Sequence, residues 1–226
     1  MDRKESRPHV TRRTALIGAA AAVVAGHASA KDEQPTRRMQ RFDAERFIEE
    51  CKRAAMGASD AQGAVQEVMA RAFSDPRAVL AGLDEPQKGG IRSLYRSSDL
   101  TILNIVWSPL MQLMPHEHNM WSLIGIYTGR EDNIFWKRDG GRLSAAGATA
   151  LAAGGVTPLP RDVIHSVTNP VAKLTGAIHI YGGDFFATPR SEWDPETLAE
   201  RPWDIQRAVR IFEESNERFF AAAKCR

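Results

Sequence analysis

Cysteine is scarce: only Cys51 and Cys225 occur among 226 residues, and no CxxC pair exists. A cysteine-rich disulfide framework and a CxxC redox or zinc motif are therefore excluded. The two cysteines can pair in an oxidising compartment. Because Cys51 lies on a helical pattern and Cys225 at the C-terminal end, two free thiols are the alternative. Long apolar runs are also missing. The uncharged run Thr14 to Ala30 is 17 residues of mostly Ala and Gly, short of the roughly 20 apolar residues that a membrane span needs. There is no internal repeat, no low-complexity segment and no block of Lys/Arg beyond the first 30 residues.

Those first 30 residues read as an export leader. "TRRTALIGAAAAVVAGHASA" opens on Arg12-Arg13, continues as an Ala/Gly/Val run and ends in the small-x-small pattern Ala28-Ser29-Ala30. A basic start, a short apolar centre and such an end make a secretory signal. The paired arginines, with Thr11, Thr14 and Leu16 around them, resemble a twin-arginine signal. The expected location is the periplasm, with no stable membrane span after cleavage. The leader also explains the net charge. It holds five Lys/Arg and two Asp/Glu of the chain's 30 and 28, leaving 25 and 26, a formal charge of −1. A basic pI that belongs to the leader gives no case for nucleic acid.

The remaining length suits one domain. Residues 31–42 form a polar lead-in, and a single domain is expected over 43–226. In "DAERFIEECKRAAMGA", Phe47, Ile48, Cys51 and Ala55 fall at helical spacing behind a possible Asp43 cap. "DAQGAVQEVMARAF" repeats the period with Val65, Val68, Met69 and Phe73. Two or three helices are expected over 43–85. From Gly89 to about 187, short segments rich in β-branched and aromatic residues alternate with Gly, Pro, Asp and Asn, the pattern of an all-β sandwich or barrel. The tail returns to helical period over about 203–223, with Ile205, Val209, Phe212, Asn216 and Phe219 on one side.

Histidine is rare as well, six in all, and four of them (His116, His118, His165 and His179) lie inside the β region. In a strand, residues two apart share a face, so His116 and His118 can both point into a barrel and hold one ion. "GGVTPLPRDVIHSVTNP" then carries Gly154, Pro160, His165 and Asn169 in order. This resembles the second motif of the cupin family, with Asp162 in place of its internal Gly. The first cupin motif, HxH followed by a Glu and a later Gly, is matched by His116, His118 and Gly129. Ser122 and Leu123 stand where the Glu belongs, and Leu110 stands where the motif opens on Gly. The resemblance implies a cupin double-stranded β-helix, a jelly-roll barrel, with a metal on His116, His118 and His165. Three neutral imidazoles leave a divalent ion its full charge and so favour an anionic ligand. Imidazole suits Fe, Zn, Cu and Ni alike, and Mn stays among the candidates.

The fourth histidine narrows the reading. "GAIHIYGGDFF" places His179 and Tyr181 on one strand face. This resembles the thiol dioxygenases of the cysteine and mercaptopropionate type, whose late strand carries Ser-x-His-x-Tyr; Ala177 here replaces the Ser. Leu123 occupies the position of the cysteine that cross-links to the Tyr in the animal enzymes. The resemblance covers roughly residues 90–190 and extends to bacterial predicted metal-dependent enzymes of the double-stranded β-helix superfamily. It implies Fe(2+), a small thiol and O2 as partners, a sulfinate product, and catalytic roles for Tyr181 and His179. A guanidinium suits a substrate carboxylate. Of Arg92 and Arg96, on an early segment, Arg96 is the better candidate. Trp121 and Tyr127 are expected to wall the site. Two other readings share the ligands: another metal-dependent cupin enzyme (a non-thiol oxygenase or a zinc-type hydrolase or isomerase), and a non-catalytic metal- or ligand-binding cupin.

Overall fold

The computed structural model describes residues 41–224. The leader (1–30), most of the lead-in and Cys225 lie outside the described residues, as does the question of a Cys51–Cys225 pair. Cys51 itself is fully buried, and burial pushes its thiol up to about 12.

Three short helices come first: α1 (Ala44–Gly57), α2 (Ala61–Phe73) and α3 (Pro76–Leu83). Each starts on an aspartate. The side chains of Asp43, Asp60 and Asp75 accept from the backbone N–H three residues on, and such a cap stabilises a helix by about 1 kcal/mol. Their apolar stripes, including Phe47, Cys51, Val65, Met69, Phe73 and Val79, merge into one core with the outer face of a sheet.

That sheet and a second one carry the rest. The strands are β1 (Gly90–Arg96), β2 (Thr101–Trp107), β3 (Gln112–Glu117), β4 (Ser122–Thr128), β5 (Arg130–Asp139), β6 (Arg142–Ala152), β7 (Val156–Leu159), β8 (Ile164–Thr168), β9 (Thr175–Tyr181), β10 (Ser191–Trp193) and β11 (Glu200–Pro202). One sheet runs β1-β2-β9-β4-β7 and the other β11-β10-β3-β8-β5-β6, with every pairing antiparallel. The eight strands β2 to β9 are thus divided between the sheets in the orders 2-9-4-7 and 3-8-5-6. That is the double Greek-key order of a jelly roll. The mainly-β barrel with helices at both ends is the architecture expected from the sequence.

Strand parity sorts the side chains. On β9, Ile178 and Ile180 face the helices, while Ala177, His179 and Tyr181 face the space between the sheets. Gly125 of β4 faces α2 so closely that a Cβ there would lie 2.8 Å from the Phe73 ring and 2.9 Å from Met69. The final helix, α4 (Ile205–Lys224), packs beside β1. Asn216 anchors it: its amide exchanges two hydrogen bonds with Gly89 and accepts a third from Ser108. The buried side chains of Ala208 and Phe212 close one end of the space between the sheets. No helix among the described residues is long and apolar enough to cross a membrane.

Candidate metal centre

His116 owes its direction to an irregularity. β3 pairs with β8 as Leu113↔Val167 and then His116↔His165, one residue more on β3 than on β8. This bulge falls at Met114-Pro115, where a proline costs the ladder little. It restores His116 to the inward face that Leu113 occupies. His118 follows two residues later, and His165 projects from the facing strand. The three side chains are 4%, 1% and 1% exposed.

Their Nε2 atoms converge. His118 Nε2 lies 3.3 Å from His116 Nε2 and 3.2 Å from His165 Nε2, and one ligand atom from each residue lies within 4.8 Å of the others. For bonds of about 2.0–2.1 Å, nitrogens at that spacing subtend roughly 100–110° at a shared ion. The far nitrogens are all engaged. His116 Nδ1–H donates to the Met114 carbonyl (3.0 Å), His165 Nδ1–H donates to Asn133 Oδ1 (2.6 Å), and His118 Nδ1 meets Ser122 Oγ (3.1 Å). With protons held on Nδ1, lone pairs on Nε2 face the common point, as metal-ligating histidines require. Burial keeps the rings neutral. It lowers His116 to about 4 and, with the neighbouring imidazoles, holds His118 and His165 well below the ordinary histidine value. The donor set fits a divalent transition metal, with no carboxylate among the ligands.

Beside this cluster lies a second, hydrogen-bonded one. The Tyr181 hydroxyl is 3.3 Å from His179 Nδ1, and its ring stands edge-on to His118 with centroids 5.0 Å apart. Burial raises the phenol's pKa, so it stays protonated. His179 Nε2 in turn lies 3.1 Å from Oε2 of Glu131. Glu131 is fully buried and also accepts from Trp107 Nε1–H at 2.7 Å and Asn133 Nδ2–H at 3.1 Å. The imidazole therefore has a partner on its far side even though Ala177 replaces the serine of the resembled enzymes. Neither Glu131 nor Asn133 was singled out from sequence. The available signal was a polar i, i+2 pair on an inward strand face, in "REDNIF".

The cavity is small, about 20 Å³ on a scale where one water needs about 10–15 Å³. The four histidines and Tyr181 line it, together with apolar side chains that include Trp107, Phe185, Trp203 and Phe212. Arg96 is not brought there. Its guanidinium makes a two-armed pair with Asp184 (2.9 and 3.0 Å) and covers the Phe186 ring, and its side chain is half exposed. Trp121 and Tyr127 lie on the helical side of the sheet instead; the Tyr127 hydroxyl donates to Asn104. The cation near the site is Arg190, which follows β9 and is 7% exposed. Its guanidinium carbon sits 4.3 Å over Phe185 and 4.6 Å over Trp203, two rings of the cavity wall. Nη1–H donates to the carbonyls of Phe185 and Thr188, while Nε and Nη2 have no partner. Burial lowers this group to about 10.

Asn169 and Leu110 have structural parts. The Asn169 amide bonds the carbonyls of Trp107, Ser108 and Lys173 and so ties the β2–β3 connection to the β8–β9 loop. Leu110 adopts φ 58, a left-handed turn that glycine makes without strain.

No protein-family model matches the chain. Among solved structures, a cupin of the RmlC-like family with a double-stranded β-helix fold from Methanocaldococcus jannaschii is similar at 13% identity and TM-score 0.38, over 45% of this chain and 86% of that one. A variant of the Bacillus subtilis oxalate decarboxylase matches at 16% identity and TM-score 0.37, over 46% of this chain and 28% of the decarboxylase. Another structure of that decarboxylase, concerned with its Mn(II) centres, matches at 16% identity and TM-score 0.36, over 44% and 27%. This chain thus spans little more than a quarter of the decarboxylase's length. The assignment of the jelly roll rests on the strand order.

Proposed function

We propose that this chain is a metal-dependent cupin enzyme of the thiol dioxygenase kind, exported to the periplasm, that converts a small thiol bearing a carboxylate into its sulfinate: RSH + O2 → RSO2H. The observation that carries the reading is the pairing of a carboxylate-free three-histidine cluster with a buried phenol, Tyr181, edge-on to one of those histidines and backed by His179. When bound, a ferrous ion supplies the one-electron chemistry that O2 requires. The chain's residues do the rest. His116, His118 and His165 present three lone pairs from one side. Tyr181 and His179 offer a hydroxyl and an imidazole that can hold or pass a proton at the Tyr181 oxygen. Trp107, Phe185, Trp203 and Phe212 exclude water. The unpartnered Nε and Nη2 of Arg190 match a carboxylate, the part that the sequence alone pointed to Arg96 for. A buried cation with two idle donors is costly unless something occupies them.

The test is oxygen consumption by iron-loaded protein over a panel of small thiols with and without a carboxylate, with the sulfinate identified by mass. Tyr181→Phe should retain metal and lose about 10²–10³ in rate, the usual effect of removing a positioned donor. Oxygen uptake with none of the thiols would overturn the proposal.

A further inference from the structure

The hydrogen-bond chain from Glu131 to His165 has only one consistent direction. The Trp107 indole can only donate, so the Glu131 oxygen it meets must accept. The other Glu131 oxygen accepts from Asn133 Nδ2–H. With its NH2 so committed, Asn133 turns its carbonyl oxygen to His165 Nδ1, which must then carry the hydrogen. His165 is left with a bare Nε2, the nitrogen aimed at His118 Nε2 and the common point. Glu131 and Asn133 are fully buried, so water does not blur the direction.

We infer that Glu131 is a positioning residue whose two carboxylate oxygens, acting through Asn133, lock His165 in the tautomer that can ligate a metal. The inference rests on the metal-centre reading only for what the bare nitrogen is for. It accounts for a fully buried carboxylate that ligates nothing in the three-histidine cluster. It also makes one isosteric change informative. In Glu131→Gln the amide oxygen must stay on the Trp107 side, because an NH2 there would oppose the indole N–H. The new NH2 then faces Asn133, which satisfies it by flipping. The flipped Asn133 offers its own NH2 to His165 Nδ1, and the proton moves to Nε2, where it blocks ligation. The double variant Glu131→Gln/Asn133→Asp reverses this. The amide introduced at position 131 donates to the carboxylate introduced at position 133, and that carboxylate accepts from His165 Nδ1–H again. The negative charge has merely moved one step along the chain.

Two measurements test this on the full chain. Ring 15N shifts of the metal-free protein report where His165 holds its proton: Nδ1 in the unaltered protein, Nε2 in Glu131→Gln and Nδ1 again in the double variant. Zn2+ titration against a chelator should show affinity falling about 10–100-fold in Glu131→Gln, the usual cost of losing an outer partner of a ligating histidine. The double variant should recover it. A Nε2–H tautomer in the unaltered protein overturns the inference without any variant. So does a Glu131→Gln protein that keeps the Nδ1–H form, or a double variant that folds and fails to return to it. The tautomer decides the matter in metal-free protein, so weak Zn2+ binding by the unaltered chain would count against the metal centre and not against the lock.

Discussion

Three histidines buried as neutral rings make the metal-free protein sensitive to mild acid. The unfolded chain holds them at the ordinary value of 6.5, while burial lowers His116 to about 4 and holds His118 and His165 well below 6.5. Between those limits the unfolded state binds protons that the folded state refuses, so stability falls as pH falls. The contribution is complete above the unfolded value, starts to be lost as pH drops through 6.5 and levels off once the folded rings titrate. For His116 the whole shift of about 2.5 units corresponds to about 3 kcal/mol at 1.36 kcal/mol per unit. At pH 5, His116, still neutral in the fold, has cost about 2 kcal/mol, and His118 and His165 act in the same direction. A domain of this size has about 5–15 kcal/mol in all. Asp184, Asp194 and Glu200 have lowered carboxyl values in the fold, so their protonation in the unfolded chain as pH falls destabilises in the same direction and does not mask the effect. The assay is urea unfolding of chelator-treated protein at pH 7.5 and pH 5. The midpoint should fall steeply in acid, and His116→Gln should shrink the difference by about 2 kcal/mol. A midpoint that is unchanged or higher at pH 5 would refute the buried-neutral assignment on which the metal reading depends.

Arg190→Met keeps the bulk between Phe185 and Trp203 and removes the charge. It should raise KM about 10–100-fold for carboxylate-bearing thiols, the worth of one charge-assisted contact. A thiol without the carboxylate should change far less, and an equal rise for both would remove Arg190 from the substrate. Gly125→Ala drives a methyl into Phe73 and Met69, so overpacking should cost about 1–3 kcal/mol in urea unfolding while metal stoichiometry stays the same. A neutral result would mean that α2 is not pressed against β4.

The barrel was legible because its signals are local: β-branched and aromatic runs between turn residues, and two histidines at strand spacing. The helices were legible from their apolar period, and the first also from its Asp43 cap. Other features escaped for identifiable reasons. The bulge at Met114-Pro115 adds one residue to a strand without changing its composition, so which face His116 occupies is settled only by pairing with β8. Arg96 was preferred for its place on an early segment like that of the resembled enzymes, but β1 pairs only with β2, at the edge of its sheet, and contains a bulge between Ser93 and Tyr95. Arg190 sits in an irregular segment where no period reports burial. Glu131 and Asn133 alternate properly, yet a charged residue on an alternating strand normally faces water. Here the partners that make burial tolerable come from β2, β8 and β9, far away in sequence.

Charge balance ties these residues to the kind of substrate proposed. Glu131, accepting three N–H bonds, places one negative charge in the dry interior, and Arg190 places one positive charge against the cavity wall. Those two cancel. A divalent ion on three neutral imidazoles then leaves an excess of two positive charges in a region where uncompensated charge is expensive. Hydroxide or a simple thiolate removes only half of it. In the proposed function a mercapto acid bound as thiolate and carboxylate would bring both negative charges, the sulfur toward the histidine cluster and the carboxylate toward the idle nitrogens of Arg190. On the proposed function, a carboxylate at Ser122, where the resembled cupin motif has its Glu and where the Oγ here meets His118 Nδ1, would be unwelcome. A glutamate there would lower the charge of the centre by one, and the dianionic substrate would then overcompensate it. Discrimination between a mercapto acid and its amide should therefore narrow in Ser122→Glu, in protein that still binds metal. An unchanged ratio there would mean that contact geometry and not charge selects the substrate.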